Sequence, residues 1–259
     1  MDRYSLISTK MQREFVLLQG TGCRWRRCTF CNYHEDVGPA PYDINREVLS
    51  KVTGKYGVLD VINSGSAMEL DADTVELIKE VVREKGIHTL WFEAHFMYRN
   101  RLDSFAAQFA PAAVKFRCGI ESFDPQLRKR WNKGVPEWVT ASDVAAHFNG
   151  VCLLCCTTDD TPERILADIG IARKHFEYFS VNIFCNNGTT VERNEELVEW
   201  FRKEVYPSIK DEPAKNNNTY FLHKILYLYI LVFPKIQLFA LLNRYQTDFY
   251  LKCMTKFRR

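Results

Sequence analysis

An α/β fold of six strand–helix units is predicted by two alternating patterns. Short apolar runs suited to buried parallel strands recur at 15–19, 58–63, 89–93, 114–119, 151–156 and 179–184. Between and after them, 43–55, 71–85, 99–109, 141–148, 162–175 and 194–205 carry apolar residues at three- and four-residue spacing, as Val75, Ile78 and Val82 illustrate. Strands that alternate with helices are joined by crossovers, so the sheet is parallel, and it closes as a barrel or lies open and doubly wound. Periodicity alone does not choose between these.

The helix starts carry their own signals. Asp71, Thr161 followed by Pro162, and Asn194 followed by Glu195 and Glu196 are caps and first turns, because a short polar side chain accepts from the free N–H groups there. At 259 residues, 46% hydrophobic and 26% charged, the chain is long enough for one large domain of this kind and is neither collagenous nor disordered. Its nine cysteines are not spread as a disulfide framework, and Met1-Asp2-Arg3-Tyr4-Ser5 lacks an apolar signal core. A reducing, cytoplasmic location is the expectation.

The formal charge of +3 hides a split: residues 214–259 hold eight Lys or Arg and one acidic residue, Asp248, whereas 1–213 hold 27 basic and 31 acidic residues. The body therefore has no global field favouring nucleic acid. Two local runs, Arg24/Arg26/Arg27 and Arg128-Lys129-Arg130, could each meet a phosphate, with a solvated face as the default reading.

Chemistry concentrates after the first strand, in Gly22-Cys23-Arg24-Trp25-Arg26-Arg27-Cys28-Thr29-Phe30-Cys31-Asn32-Tyr33. Three thiolates on one loop can hold three irons of a 4Fe-4S cube and leave the fourth iron open. Other readings are weighed beside this. The spacing also suits plant-type ferredoxins, but these need a fourth cysteine, and none occurs between Cys31 and Cys118. A zinc site wants four protein ligands, for which His34 is the available fourth. Three unrelated buried thiols fit poorly with a loop full of arginine.

The triplet, with the aromatic Phe30 just before its last cysteine, resembles the signature of the radical S-adenosylmethionine enzymes, although its first gap has four residues where three is commoner. That resemblance covers about residues 13–205 and implies a partial (β/α)6 TIM-like barrel, with Cys23, Cys28 and Cys31 as ligands of a 4Fe-4S cluster and S-adenosylmethionine as cofactor. An external electron donor such as a ferredoxin or flavodoxin is implied as partner. In the family, the turn after strand two contacts the methionine amino group, which places Ser64, Gly65 and Ser66 there. A polar residue ending strand four meets the ribose, which places Glu121, with Ser122, in Gly119-Ile120-Glu121-Ser122. The bland alternatives are an ordinary turn at 64–66 and an ion pair of Glu121 with Arg117 or Arg128.

Function in such barrels gathers at the carboxyl ends of strands, so Glu93 and His95 after strand three, and 182–187 after strand six, are candidates for substrate contact. His95 is also a candidate proton relay. Cys118, Cys152, Cys155, Cys156 and Cys185 sit in buried-strand patterns and read as small apolar side chains rather than a second cluster. The motifs are similar to those of the archaeosine synthase and elongator-like branch, so the substrate is open between transfer RNA and a small molecule. A non-catalytic iron–sulfur or zinc-binding protein is the alternative.

The alternation stops near 205, and from Ala214 the composition turns to Asn, Lys, Tyr, Phe, Leu and Ile. We divide the chain into a core domain at 1–211 and a basic, aromatic tail at 212–259. The apolar stretch 225–233 before Pro234 and Lys235 is short of the roughly 18 residues a membrane span needs, so no membrane partner is expected. The tail reads as a closing helix or as a segment foreign to the barrel, as an altered reading frame near Pro213 would produce.

Overall fold

The computed structural model describes residues 2–210, apart from 10 and 39; the expectations for 212–259, and hence the domain division, lie outside the described residues. Seven strands form one sheet in chain order: β1 (Tyr4–Ile7), β2 (Arg13–Leu18), β3 (Val58–Asn63), β4 (Thr89–Ala94), β5 (Ala113–Glu121), β6 (Gly150–Cys155) and β7 (Tyr178–Ile183). Strands β2 to β7 pair in parallel, as the alternation requires, and β1 adds an antiparallel edge to β2. That edge strand is absent from the sequence reading because YSLI is only four residues long.

The sheet curls into a partial barrel. One contact across it requires the curl: Asn187 beyond β7 donates to the carbonyl of Phe30 beyond β2 at 2.8 Å.

Period-two alternation decides which side chain faces where. Outward rows pack the helices: Val16 and Leu18, Leu59 and Val61, Leu90 and Phe92, Phe116 and Cys118, Val151 and Leu153, Phe179 and Val181 all belong to one buried cluster with the helix residues Ile78, Ile165 and Val198. Each such side chain contributes about 1.5–3 kcal/mol when fully buried. The intervening residues face the barrel interior, where the charged and polar Asp60, Glu93, Arg117, Glu121 and Asn182 stand among apolar side chains such as Phe15, Ile62 and Trp91.

The helices that follow are α1 (Pro41–Leu49), α2 (Ala72–Glu84), α3 (Leu102–Ala106), α4 (Pro125–Arg130), α5 (Ala141–Ala145), α6 (Pro162–His175), α7 (Glu195–Trp200) and α8 (Tyr206–Lys210). Asp71, Thr161 and Asn194 each cap as expected, accepting from the N–H of Thr74, Arg164 and Leu197. The region 99–109 is not one helix: 3-10 turns at Phe96–Arg101 and Ala107–Phe109 flank α3. Helix α4 is an element the sequence reading lacked, and it starts where Asp124 accepts from Gln126 and Leu127. No described helix is long and apolar enough to cross a membrane.

In the basic run 128–130, Lys129 and Arg130 lie on the exposed face expected by default, and Arg128 does not. Arg128 is buried and donates to the carbonyls of Ser122, Phe123 and Val139. Lys129 and Arg130 pair with Glu137 and Asp159. Arg24, Arg26 and Arg27 are exposed around the cysteine loop.

Candidate functional site

One cavity opens at the carboxyl end of the strands, and Cys23, Cys28 and Cys31 all line it, with Phe30, Ser64, Gly65, Ser66, Glu93, His95 and Glu121. Ten of the eleven site residues expected from the sequence thus sit around a single space. Ser122 does not: it is buried, and its hydroxyl accepts from Asp124 N and Arg164 Nη1. His34 is also outside the lining.

The cysteine loop is held by the three loops it meets. Glu69 ties it to the turn after β3, accepting at one oxygen from Arg24 N (2.9 Å) and Tyr98 Oη (2.7 Å) and at the other from Ser66 N (2.6 Å). The segment after α4 accepts the Trp25 indole N–H at Asn132 O (2.7 Å) and the Thr29 N–H at Trp131 O (3.0 Å). Beyond β7, Asn187 accepts at its carbonyl from Asn32 Nδ2 and donates from its own Nδ2 to the Phe30 carbonyl across the mouth.

Glycine is required at the closest approach. A Cβ on Gly65 would stand 3.0 Å from the Gly22 carbonyl and 3.2 Å from Cys23 Cα, so the turn lies directly against the cysteine loop. Ser64 Oγ accepts from Gly20 N at 2.9 Å and fixes that turn to the end of β2.

Among the described residues no three His, Cys, Asp or Glu side chains converge where one metal ion would sit. A polynuclear cluster, in which each thiolate meets its own iron, would take three thiols spread round a cavity. Burial pushes the Cys28 and Cys31 thiols up, against the pull of the Lys133 ammonium. Binding a metal there therefore displaces their protons. The residues present fit such a group.

Glu93, Glu121 and Lys133 gather over Gly119, whose Cβ would meet Glu121 Oε1 at 3.1 Å and the Glu93 Oε1 and Lys133 Nζ atoms at 3.4 Å each. Lys133 Nζ donates to Glu121 Oε1 at 2.9 Å, and this ammonium, not Arg117 or Arg128, is the partner of Glu121. Burial pulls Lys133 down, but Glu121 outweighs it and holds the ammonium above the ordinary lysine range. Glu121 sits in the left-handed region at φ 66°, next to the register shift between Gly119 and Glu121. That conformation costs a non-glycine residue about 1–3 kcal/mol, and it turns a carboxylate into the cavity. Burial raises Glu93 above the usual carboxylate range; Arg117 opposes this and Glu121 adds to it.

His95 has both ring nitrogens engaged. Met97 N donates to Nδ1 (3.1 Å), which leaves Nε2 to donate to Lys133 O (2.6 Å). Burial, with the Lys133 charge, lowers its pKa to about 4, so the ring is neutral. It stacks on Trp25 with centroids 5.8 Å apart.

Lys133 and Glu69 are absent from the sequence reading. The Asn132-Lys133-Gly134 turn carried a signal, since Asn132 and Gly134 adopt φ of 51° and 73°. Nothing local marks a lysine on such a turn as buried. Of the other cysteines, Cys118, Cys152, Cys155 and Cys156 are buried and Cys185 is half-buried.

No protein-family profile and no curated protein matches the chain. Solved structures do. A queuine lyase from Clostridium spiroforme, bound to S-adenosylmethionine and queuine, matches with a TM-score of 0.79 and 37% identity over 86% of this chain and 96% of that one. A methylornithine synthase aligns with a TM-score of 0.48 and 17% identity over 68% and 55% of the two chains, which is too distant to add to the argument. Identity of this order over nearly the whole length of the lyase, with the cysteine loop, the glycine turn and the barrel mouth assembled round one cavity, shows that the chain belongs to the radical S-adenosylmethionine family.

Proposed function

We propose that this chain is a radical S-adenosylmethionine lyase that acts on queuine or a closely related 7-deazaguanine base. The observation that carries the reading is the cavity on which Cys23, Cys28, Cys31, the Ser64-Gly65-Ser66 turn and Glu121 all open. The likeness to a queuine lyase favours a free base over the transfer RNA that the sequence left open.

Cys23, Cys28 and Cys31 would hold a 4Fe-4S cluster through three irons. The cluster and S-adenosylmethionine, when bound and reduced by an external donor such as a ferredoxin or flavodoxin, would supply a 5'-deoxyadenosyl radical that takes a hydrogen from the substrate. The chain's own residues bind, orient and shield. The Ser64-Gly65-Ser66 turn, pressed on Cys23, offers backbone groups to the methionine end of the cofactor. Lys133 holds one oxygen of Glu121, which leaves the other to accept from ribose hydroxyls. Phe30, packed edge-on against the fully buried Trp131 at 5.4 Å, helps keep water from the inner cavity. His95, neutral and bonded at both nitrogens, holds the Lys133 loop in place and carries no proton in this scheme.

The test is direct. Protein reconstituted anaerobically with iron and sulfide, then given S-adenosylmethionine, dithionite and queuine, should release 5'-deoxyadenosine as queuine is consumed. Release that is indifferent to queuine, with the base intact, overturns the substrate.

A further inference from the structure

One carboxylate in the cavity lacks a cation of its own. Resting on the queuine-type reading above, we infer that Glu93 is the counter-anion of a cationic amine on the substrate and selects amine-bearing bases over neutral ones.

The other charges that line the cavity are each matched within the chain. Glu121 is neutralised by Lys133 at 2.9 Å. Asp36, the other lining carboxylate, is bonded by Arg3 at 3.0 Å. Arg117 rises from the barrel floor near Glu93, but its guanidinium bonds go to Asp60, at 2.8 and 2.6 Å, and Arg13 also bonds Asp60, at 2.9 Å. His95 is neutral, with both nitrogens engaged. Among the described residues Glu93 forms no ion pair, and its hydrogen bond is from the Cys152 thiol at 3.5 Å, a weak donor. The attraction of Arg117 does not offset the burial of Glu93, which stays harder to ionise than an ordinary glutamate.

A positive charge brought to a half-buried carboxylate in that state stabilises its ionised form. Queuine carries a secondary amine between its deazaguanine and its cyclopentene ring, protonated at neutral pH, and such an ammonium supplies both the charge and the N–H donors. A neutral N–H edge of the base would leave the charge uncompensated. Gly119 leaves the space beside Glu93 clear, because any side chain there would press on Glu93, Glu121 and Lys133 together.

The test uses the reconstituted holoenzyme with S-adenosylmethionine and no reductant, and reads binding by calorimetry. The probes are 7-aminomethyl-7-deazaguanine and 7-ethyl-7-deazaguanine, which match in size and differ in charge. The wild type should prefer the aminomethyl base by about ten- to a hundredfold, the range of a charge-assisted hydrogen bond. Glu93→Gln should bring that preference to within about twofold, with ethyl-base affinity and cluster absorbance unchanged. If Glu93→Gln does not take up cluster, Glu93→Asp replaces it and should cut the preference severalfold. A preference that survives the substitution, or equal weakening of both bases, overturns the role of Glu93 while leaving the queuine-type reading intact. A wild-type holoenzyme that binds neither base overturns that reading, and the inference with it.

Discussion

Two charged clusters stand one above the other in the barrel interior, and they are built to opposite plans. At the floor one carboxylate, Asp60, takes three bonds from two arginines, Arg13 and Arg117. At the mouth there are two carboxylates, Glu93 and Glu121, and the lysine beside them, Lys133, bonds Glu121 and not Glu93. Burial pushes both Asp60 and Glu93 upward, yet Asp60 ends below the usual carboxylate range because the two arginines outweigh burial, whereas Glu93 ends above it. The floor is a closed arrangement whose bonds are made within the chain, and the mouth keeps acceptors for something else. Placement along the strand separates an arrangement satisfied within the chain from one open to the cavity, although both consist of inward-facing charged residues.

The largest expected effect is at the floor. Asp60→Ala leaves Arg13 and Arg117 buried without their anion and should cost about 3–5 kcal/mol of stability in urea unfolding. A loss under about 1 kcal/mol would break the contrast with the mouth.

At the mouth, His95 makes the structure sensitive to acid. Its folded pKa of about 4 lies below its unfolded value of 6.5, so the unfolded chain takes the proton first. The stability it contributes is whole above pH 6.5 and is lost as pH falls towards 4, by on the order of 3 kcal/mol. His95→Gln should be less stable at pH 7 and should lose less than the wild type between pH 7 and 4.5. Parallel pH profiles would count against a neutral, buried imidazole.

Glu121→Ala should weaken S-adenosylmethionine binding by about 1.5–3 kcal/mol, the range for bonds to a charged group, without loss of iron. Unchanged affinity would make Glu121 only the partner of Lys133. The smallest effect is expected from Gly119→Ala, whose methyl would sit 3.1 Å from Glu121 Oε1. About 1 kcal/mol of stability should be lost, with a weakened cofactor affinity that the same substitution at the exposed Gly170 does not cause.

The outward strand rows were legible because continuous apolar runs leave little choice of element, and all six predicted strands are present. Capped helices were legible for the same local reason. The 99–109 region was not, since apolar spacing looks alike in an α-helix and in a series of short 3-10 turns. At the site, Cys23, Cys28, Cys31 and the 64–66 turn were readable from spacing and resemblance. Lys133 was not, because its burial comes from Glu121, twelve residues away on another element. Ser122 was misplaced by one step: the left-handed turn at Glu121 ends the alternation and sends the next side chain into the packing beneath Arg164.

If the cysteine loop and the mouth make one redox-active site, 5'-deoxyadenosine release reports it most directly. Under dithionite with S-adenosylmethionine and queuine, the reconstituted wild type and Cys155→Ala, which alters a thiol buried in the helix-facing core, should both release it. Cys28→Ala should lose both the cluster absorbance and the release. A wild type that carries a full cluster and releases none, or a Cys28→Ala protein that releases as much as the wild type, would contradict the account.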